Sequence, residues 1–296
     1  MSPSVKKFFL TIYSALMIRI PHFLMILIKL VVRLLNNLGI LGWPLIRTFS
    51  PQIHEILFNL ADVRGSYSLI KQESIDKDKI TQINQDFLGY NITIPYKEKI
   101  LSLDKSAILS KSVQEIGACN TVLNKNSKMY LFNTDFSGFK TFLDLIDHKF
   151  DKKSVLILGS GGSSKALAYC LKSLNVNYYI ASRIIKNNTI SYDDITELKS
   201  EIGMVINTTP IGMPPYQNDR LPIKWKELVN LKTVINLGYG SKNTFFDNFD
   251  ESILRYDGLG MLICQAIESF NIWTSAELST SSIYGEVLNK LEGRDD

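Results

Sequence analysis

Two sets of residues in this sequence have types and spacings that could do chemistry. The first is a glycine turn, Gly159-Ser160-Gly161-Gly162-Ser163-Ser164. Glycines in such a run let the backbone turn sharply. They also let a pyrophosphate approach a helix N-terminus, where free N–H groups and the helix dipole favour anions. Ser164 takes the third position of the G-x-G-x-x-G pattern, so the turn alone also fits a plain strand-to-helix connection. A second position, Ser182-Arg183, bears on which dinucleotide would bind. An NAD site usually has an acid there for the ribose 2′-hydroxyl, and this chain has none until Asp193. A hydroxyl with a guanidinium suits a 2′-phosphate; a solvated surface arginine is the plainer alternative.

The second set comprises four polar clusters: Thr48-Phe49-Ser50, Asn91 to Lys97, Gly117 to Thr121, and Asn133-Thr134-Asp135. Each has an ordinary reading. Thr48 and Ser50 could cap the helix that Pro51 opens. Lys97 could be one of many solvated lysines, Asn120 a turn residue, and Asp135 the N-cap of the helix that follows.

The elements that must hold these residues can be read from apolar spacing. Val155 to Leu158 is a short apolar run, the mark of a buried parallel strand. Leu167, Cys170, Leu171 and Leu174 then form one helix face, and Tyr178 to Ala181 is a second strand. Met204 to Asn207 and Thr233 to Leu237 continue the series. Arg183 and Met204 are too close for a full βαβ repeat of about 30 residues, so a helix and an edge strand are expected to be missing or vestigial. Upstream, strands are expected at Leu38 to Leu41, Tyr67 to Ile70 and Gly89 to Ile94. Helices are expected from Ser50-Pro51, over Asp76 to Asp86 and over Asp135 to Ile146. A hairpin is expected from Gly117 to Asn124 and Lys128 to Asn133. Gly258 to Trp273 reads as a long helix, with Ile263, Ala266, Ile267 and Phe270 on one face and Gln265 on another.

This alternation gives an α/β fold class with two domains. The expected division is an extension over residues 1–36, a compact α/β unit over 37–135, a Rossmann-type nucleotide unit over 136–250, and C-terminal helices over 251–296. The composition, 45% hydrophobic and 21% charged, suits an ordinary core. A net charge of +4 without a run of five like charges gives no reason to expect nucleic acid. Three cysteines without CxxC spacing fit reduced thiols in a cytoplasmic protein. The three scattered histidines argue against a zinc site or a histidine triad. In residues 1–36 two apolar runs are cut by Arg19, Pro21, His22 and Lys29. Neither reaches the roughly 18 uncharged residues that a spanning helix needs. The extension is therefore read as an interfacial basic helix making peripheral membrane contact, a weak anchor, or an upstream segment from an early start, with Met17 and Met25 as later starts.

Taken together the clusters resemble the shikimate and quinate dehydrogenase family, over about Leu38 to Leu291. The motifs carrying the resemblance are GWPLIRTFSP, NITIPYK, GACNT, NTDFSG, the glycine turn GSGGS where the family has G-A-G-G-A, INTTPIGM, and GLGMLICQAIESFNIW. The resemblance implies a two-domain α/β protein with its site in the cleft, residues 37–135 as the substrate-binding and catalytic unit, the C-terminal helices returning to that unit, NADP as cofactor, and 3-dehydroshikimate/shikimate as the small-molecule substrate. It implies that Lys97 and Asp135 are the catalytic pair and that Thr48 and Ser50 hold the substrate carboxylate. It assigns further substrate contacts to Thr93, Asn120, Tyr239 and Gln265. It assigns the cofactor site to Gly159, Ser160, Gly161, Gly162, Ser163, Ser182, Arg183, Leu237 and Gly258.

The implied chemistry agrees with the residue types, because a lysine paired with an aspartate can hold a hydroxyl and move its proton during hydride transfer. Four departures from the family pattern stand out: Thr48 for a serine, Arg47 for a histidine, Ser182-Arg183-Ile184 for N-R-T, and Gly240-Ser241 after Tyr239. Two other functions stay open, namely quinate oxidation with NAD(P) and a degenerate non-catalytic binding protein. The assembly is expected to be a monomer or homodimer.

Overall fold

The computed structural model describes residues 36–45, 48–186, 188–240 and 244–293. The expectations for the N-terminal extension, Arg47 and Ser241 concern residues outside this description, Asn36 excepted. Among the described residues no helix is long and apolar enough to cross a membrane, and no cluster of potential metal ligands occurs.

The first half is a mixed sheet with helices on both faces. In chain order its elements are β1 (Asn36–Gly42), α1 (Ser50–Leu60), β2 (Gly65–Lys71), α2 (Lys77–Asp86), β3 (Gly89–Ile92), β4 (Ile108–Leu109), α3 (Lys111–Ile116), β5 (Thr121–Lys125) and β6 (Lys128–Phe132). The strand order is β2-β1-β3-β5-β6-β4. Strand β1 runs parallel to β2 and β3, whereas β5 runs antiparallel to β3 and β6. This reversal decides where the polar clusters meet. The start of β5 lies at the same sheet edge as the ends of β3 and β6, with Thr121 opposite both Asn91 and Phe132. GACNT precedes its strand while NIT and FNTD end theirs, and all three arrive at one edge.

Local signals explain the helices. Asp76 caps α2 by accepting from the Lys79 N–H at 2.8 Å. Ser110 caps α3, and Gly117 ends it at φ 71°, a left-handed conformation that suits glycine. The short elements β4 and α3, and the 3₁₀ turn Lys99–Ser102, lacked any periodic signal in the sequence. Neither expected cap at the site holds. The N-cap of α1 is Phe49, with no side-chain cap bond. The helix α4 (Asp135–Leu145) is capped at Thr134, which makes Asp135 its first residue.

The second half is a five-stranded parallel sheet of order β11-β10-β9-β7-β8. It comprises β7 (Ser154–Leu158), β8 (Tyr178–Ala181), β9 (Ile202–Asn207), β10 (Thr233–Asn236) and β11 (Leu254–Asp257), with α5 (Gly162–Ser173) between β7 and β8. The trimming expected after Arg183 is visible. A 3₁₀ helix, Asp193–Leu198, stands where a full helix would fit. Among the described residues the outer edge carries one isolated parallel bridge, Ala181 to Ile190. The sheet runs on to Asp257, so the expected boundary at residue 250 falls short by one strand. The sequence of β11, LRYD, has no apolar run because the strand lies on an exposed edge.

Two helices, α6 (Leu259–Thr274) and α7 (Thr280–Glu292), close the chain. Helix α6 serves both halves. Ile263, Ile267, Phe270 and Trp273 join Leu38, Ile53 and Leu57 in the core of the first half, and Met261 and Cys264 join Phe139, Ile157 and Leu167 in that of the second. Trp273 lies against Gly89, where a Cβ would come within 2.3 Å of the indole, and its Nε1–H donates to the Val122 carbonyl at 2.8 Å. Truncating a tryptophan packed in this way costs about 3–5 kcal/mol.

Candidate active site

The pocket between the two sheets is lined by Thr48, Ser50, Thr93, Lys97, Asn120 and Asp135 from the first half, with Gln265 from α6. From the nucleotide side it receives Ser163, Leu237, Tyr239 and Gly258. All eight residues expected to touch substrate or move its proton therefore meet in one cavity. The rest of the glycine turn, with Ser182 and Arg183, lies beyond it.

Lys97 is not a solvated lysine. Its side chain is 14% exposed, and its ammonium donates to Asp135 Oδ2 at 2.6 Å. Its backbone is held too, because its carbonyl accepts from the Cys119 N–H at 2.8 Å. The Asp135 carboxylate is held on both oxygens, since Asn120 Nδ2 donates to Oδ1 at 2.9 Å. Asn120 is buried, and the same amide reaches Thr134 Oγ1 and Gln265 Oε1 at 2.9 and 3.2 Å. Its own oxygen accepts from the Thr134 N–H at 2.7 Å. A buried network with its members satisfied is rigid, and leaving one unpaired is expensive.

Close glycine contacts make this network possible. A Cβ on Gly138 would come within 2.6 Å of the Gln265 backbone. That glycine is the last residue of NTDFSG, and it lets α6 approach α4 so that Gln265 reaches the pocket. Likewise a Cβ on Gly42 would come within 2.4 Å of Thr93.

A second layer of residues was not singled out in the sequence. Ser269, one turn after Gln265 on α6, accepts from Asn91 Nδ2 at 3.0 Å and lies 2.8 Å from Thr121 Oγ1 and 2.9 Å from Thr134 Oγ1. Tyr67 donates to Asn91 Oδ1 at 2.7 Å. The only sequence hint was the i, i+4 spacing of Ser269 from Gln265. Behind Tyr67 stacks His54, at a ring separation of 3.9 Å. Its Nδ1 lies 2.8 Å from the Ser50 carbonyl oxygen, which can only accept, so Nδ1 carries the proton. Its Nε2 is buried without a partner. Burial lowers the imidazole pKa to about 4, so the ring is neutral.

The hydroxyl group of residues forms one wall. Thr48 Oγ1 donates to Ser50 Oγ at 2.9 Å and accepts from the Ser50 N–H at 3.1 Å. Tyr239 packs on Phe49 at 5.5 Å. Burial raises the Tyr239 phenol pKa, opposed by its hydrogen bonds to Thr48 and the Phe49 backbone, so it stays a neutral donor. Burial likewise pushes the Cys119 thiol to about 12, so this cysteine within GACNT is an inert packing group.

The glycine turn has the shape a dinucleotide requires. Gly159 has φ 105°, and a Cβ there would come within 2.6 Å of Thr208 Oγ1. A Cβ on Gly161 would meet nothing within 4 Å, which leaves open space in front of the free N–H groups at the start of α5. The turn sits at the carboxyl end of β7, between β8 and β9, where the winding of the sheet reverses. Ser160 Oγ lies 3.0 Å from Ser182 Oγ, joining the turn to the end of β8. Arg183 beside it is exposed and lowers the pKa of Tyr192 by its charge, against the larger effect of burial. Leu237 and Gly258 cross closely: a Cβ on Gly258 would come within 2.0 Å of the Leu237 carbonyl.

Comparisons with known proteins fit this geometry. Residues 40–122 match the family described as shikimate dehydrogenase substrate binding domain. Residues 258–288 match the family described as shikimate 5'-dehydrogenase C-terminal domain. The chain is 31% identical over 262 residues to a protein of Clostridium beijerinckii named shikimate dehydrogenase (NADP(+)), covering 83% of this chain and 95% of that one. It is 31% identical over 284 residues to the protein of the same name from Methanococcus vannielii, covering 86% and 97%. Among solved structures, shikimate dehydrogenase 1 from Peptoclostridium difficile has a TM-score of 0.75 at 29% identity, covering 87% of this chain and 100% of that one.

Proposed function

The chain belongs to the shikimate dehydrogenase family, and from that premise we propose that it interconverts 3-dehydroshikimate and shikimate with NADP(H), using Lys97 and Asp135 as its proton pair. The observation that carries the reading is the ion pair itself, at 2.6 Å and almost shielded from water in the cleft between the two sheets. NADPH, when bound, supplies the hydride. The alkoxide oxygen left by ketone reduction needs a proton, and the Lys97 ammonium is the acid that can give it. In the reverse direction Lys97 takes that proton from the substrate hydroxyl. Asp135 fixes the ammonium and balances its charge in a poorly solvated site, where the pairing is stronger than in water.

The hydroxyls of Thr48, Ser50 and Tyr239 supply donors for the substrate carboxylate, and Asn120, Gln265 and Thr93 face the ring. The glycine turn and the start of α5 would hold the pyrophosphate of NADP, and Ser182 with Arg183 its 2′-phosphate. Thr48 adds a methyl to the carboxylate pocket where the family has serine, which favours shikimate, whose C1 is sp2 and carries no hydroxyl, over the bulkier quinate.

The test is steady-state oxidation of NADPH with 3-dehydroshikimate, run beside NADP reduction with shikimate and with quinate. Turnover on the shikimate pair is the expected result. Turnover on quinate alone would replace the substrate, and NADPH binding without turnover on any of them would make the protein a non-catalytic relative.

A further inference from the structure

Ser163 belongs to the helix start on the nucleotide side, yet its hydroxyl faces the catalytic side of the cleft. It accepts a hydrogen bond from Lys97 Nζ at 2.9 Å, across the cleft from the lysine's own half of the molecule. The two chain segments are pressed together at this point. A Cβ on Gly162 would come within 2.8 Å of Lys97 Cβ and 3.2 Å of its Cδ. Beside it, one residue after Lys97 and two after Ser163, Lys165 Nζ donates to Glu98 Oε2 at 2.6 Å. An ammonium has three N–H groups. Asp135 takes one and Ser163 takes another, which leaves a single N–H for a ligand in the pocket. A lysine held only by Asp135 could swing about that bond; one held from two sides cannot.

Resting on the proposed role of Lys97, we propose that Ser163 is a positioning residue for the proton donor. Its hydroxyl fixes the Lys97 ammonium, while its backbone N–H, in the first turn of α5, stays free for the cofactor phosphate. This residue stands where the resembled motif, G-A-G-G-A, has alanine, so the hydroxyl is an addition to that pattern. It ties the proton donor to the helix that cradles the cofactor, and the donor is correctly aimed only when the two halves are closed.

The experiment compares the full-length protein with Ser163→Ala, Ser163→Thr and Lys97→Ala in both directions of the reaction, in H₂O and D₂O. For Ser163→Ala the expected result is a fall in kcat of about ten-fold, the size of one lost charge-assisted hydrogen bond in the transition state. KM for both ligands should stay within about two-fold, and the solvent isotope effect on kcat should rise because proton transfer becomes slower. Ser163→Thr keeps the hydroxyl and should restore kcat. A wild-type kcat and isotope effect in Ser163→Ala would overturn the inference. So would a loss seen wholly in KM for NADPH, which would make Ser163 a cofactor contact only, or a failure of Ser163→Thr to recover. An inactive Lys97→Ala beside an unchanged Ser163→Ala defeats this inference and leaves the proposed function standing. A Lys97→Ala that still turns over defeats both.

Discussion

At the scale of single residues, the proposed role of Arg183 places the preference for a phosphorylated dinucleotide on one exposed cation. Among the described residues Arg183 has no carboxylate in ion-pair contact, and Ser182 beside it is buried and already tied to the glycine turn. An arginine facing a phosphate forms strong bidentate bonds, while NADH offers it only a ribose hydroxyl. Arg183→Ala should therefore raise KM for NADPH by about ten-fold, the worth of one charge-assisted bond, and leave KM for NADH nearly unchanged. Initial rates with both cofactors measure this, and equal losses on the two would remove Arg183 from the 2′-phosphate site. Ile184, which replaces the threonine of N-R-T, is 69% exposed and offers no further donor. The discrimination thus depends on fewer groups than the resembled pattern supplies.

At the scale of elements, the meeting of β7, its glycine turn and α5 with the Lys97 segment decides the geometry of the site. The three glycines have different duties, and substitution should separate them. Gly162→Ala would drive a methyl into the Lys97 stem, whose backbone carbonyl and ammonium are both held by hydrogen bonds. A displacement of about 1 Å in a reacting group can cost about 10²-fold in rate, and a kcat loss of that order is expected. Gly161→Ala puts its methyl into open space, so its expected effect is a higher KM for NADPH with kcat largely kept. If both variants lost the same parameter, the division of labour would be wrong.

The elements that were legible beforehand are those with an unbroken apolar run or face. The buried strand β7 and the helices α1, α4 and α6 are of this kind. The strands β4 and β11 were not, because their register is set by neighbours and they lie at sheet edges with half their side chains in water. Nor was the deeper part of the site. Asn91 and Ser269 are bonded across 178 residues of chain, and no local spacing announces such a contact. Lys97, Asp135 and Asn120 could be named only because their motifs resemble a family; taken alone, they read more simply as a surface lysine, a helix cap and a turn residue.

At the scale of the whole molecule, one buried imidazole links stability to pH. His54 is neutral in the fold, surrounded by Tyr67, Phe270 and Trp273, and its pKa falls from 6.5 to about 4. A group with a depressed folded pKa contributes stability that is fully present above its unfolded pKa and is lost as pH falls through its folded one. The window here runs from about pH 6.5 down to about pH 4, and the loss across it is on the order of 3 kcal/mol. Urea denaturation of the wild-type protein at several pH values should show this slope, and His54→Phe should flatten it even if its stability at pH 7 is lower. Equal slopes in the two proteins would mean that other groups carry the acid sensitivity.

The shared helix α6 also sets the order in which the protein can be finished during synthesis. Domains generally fold from the N-terminus as they leave the ribosome. The first sheet, however, lacks Ile263, Ile267, Phe270 and Trp273 until nearly the whole chain has been made. It also lacks the Ser269 hydroxyl that joins Asn91, Thr121 and Thr134. The half that is translated first is completed last, and its pocket acquires its final shape only when the residues beyond Asp257 have emerged. A nascent chain released before that point would carry an open apolar face on the first sheet, which makes the emergence of α6 the step before which this protein depends most on being kept from its neighbours.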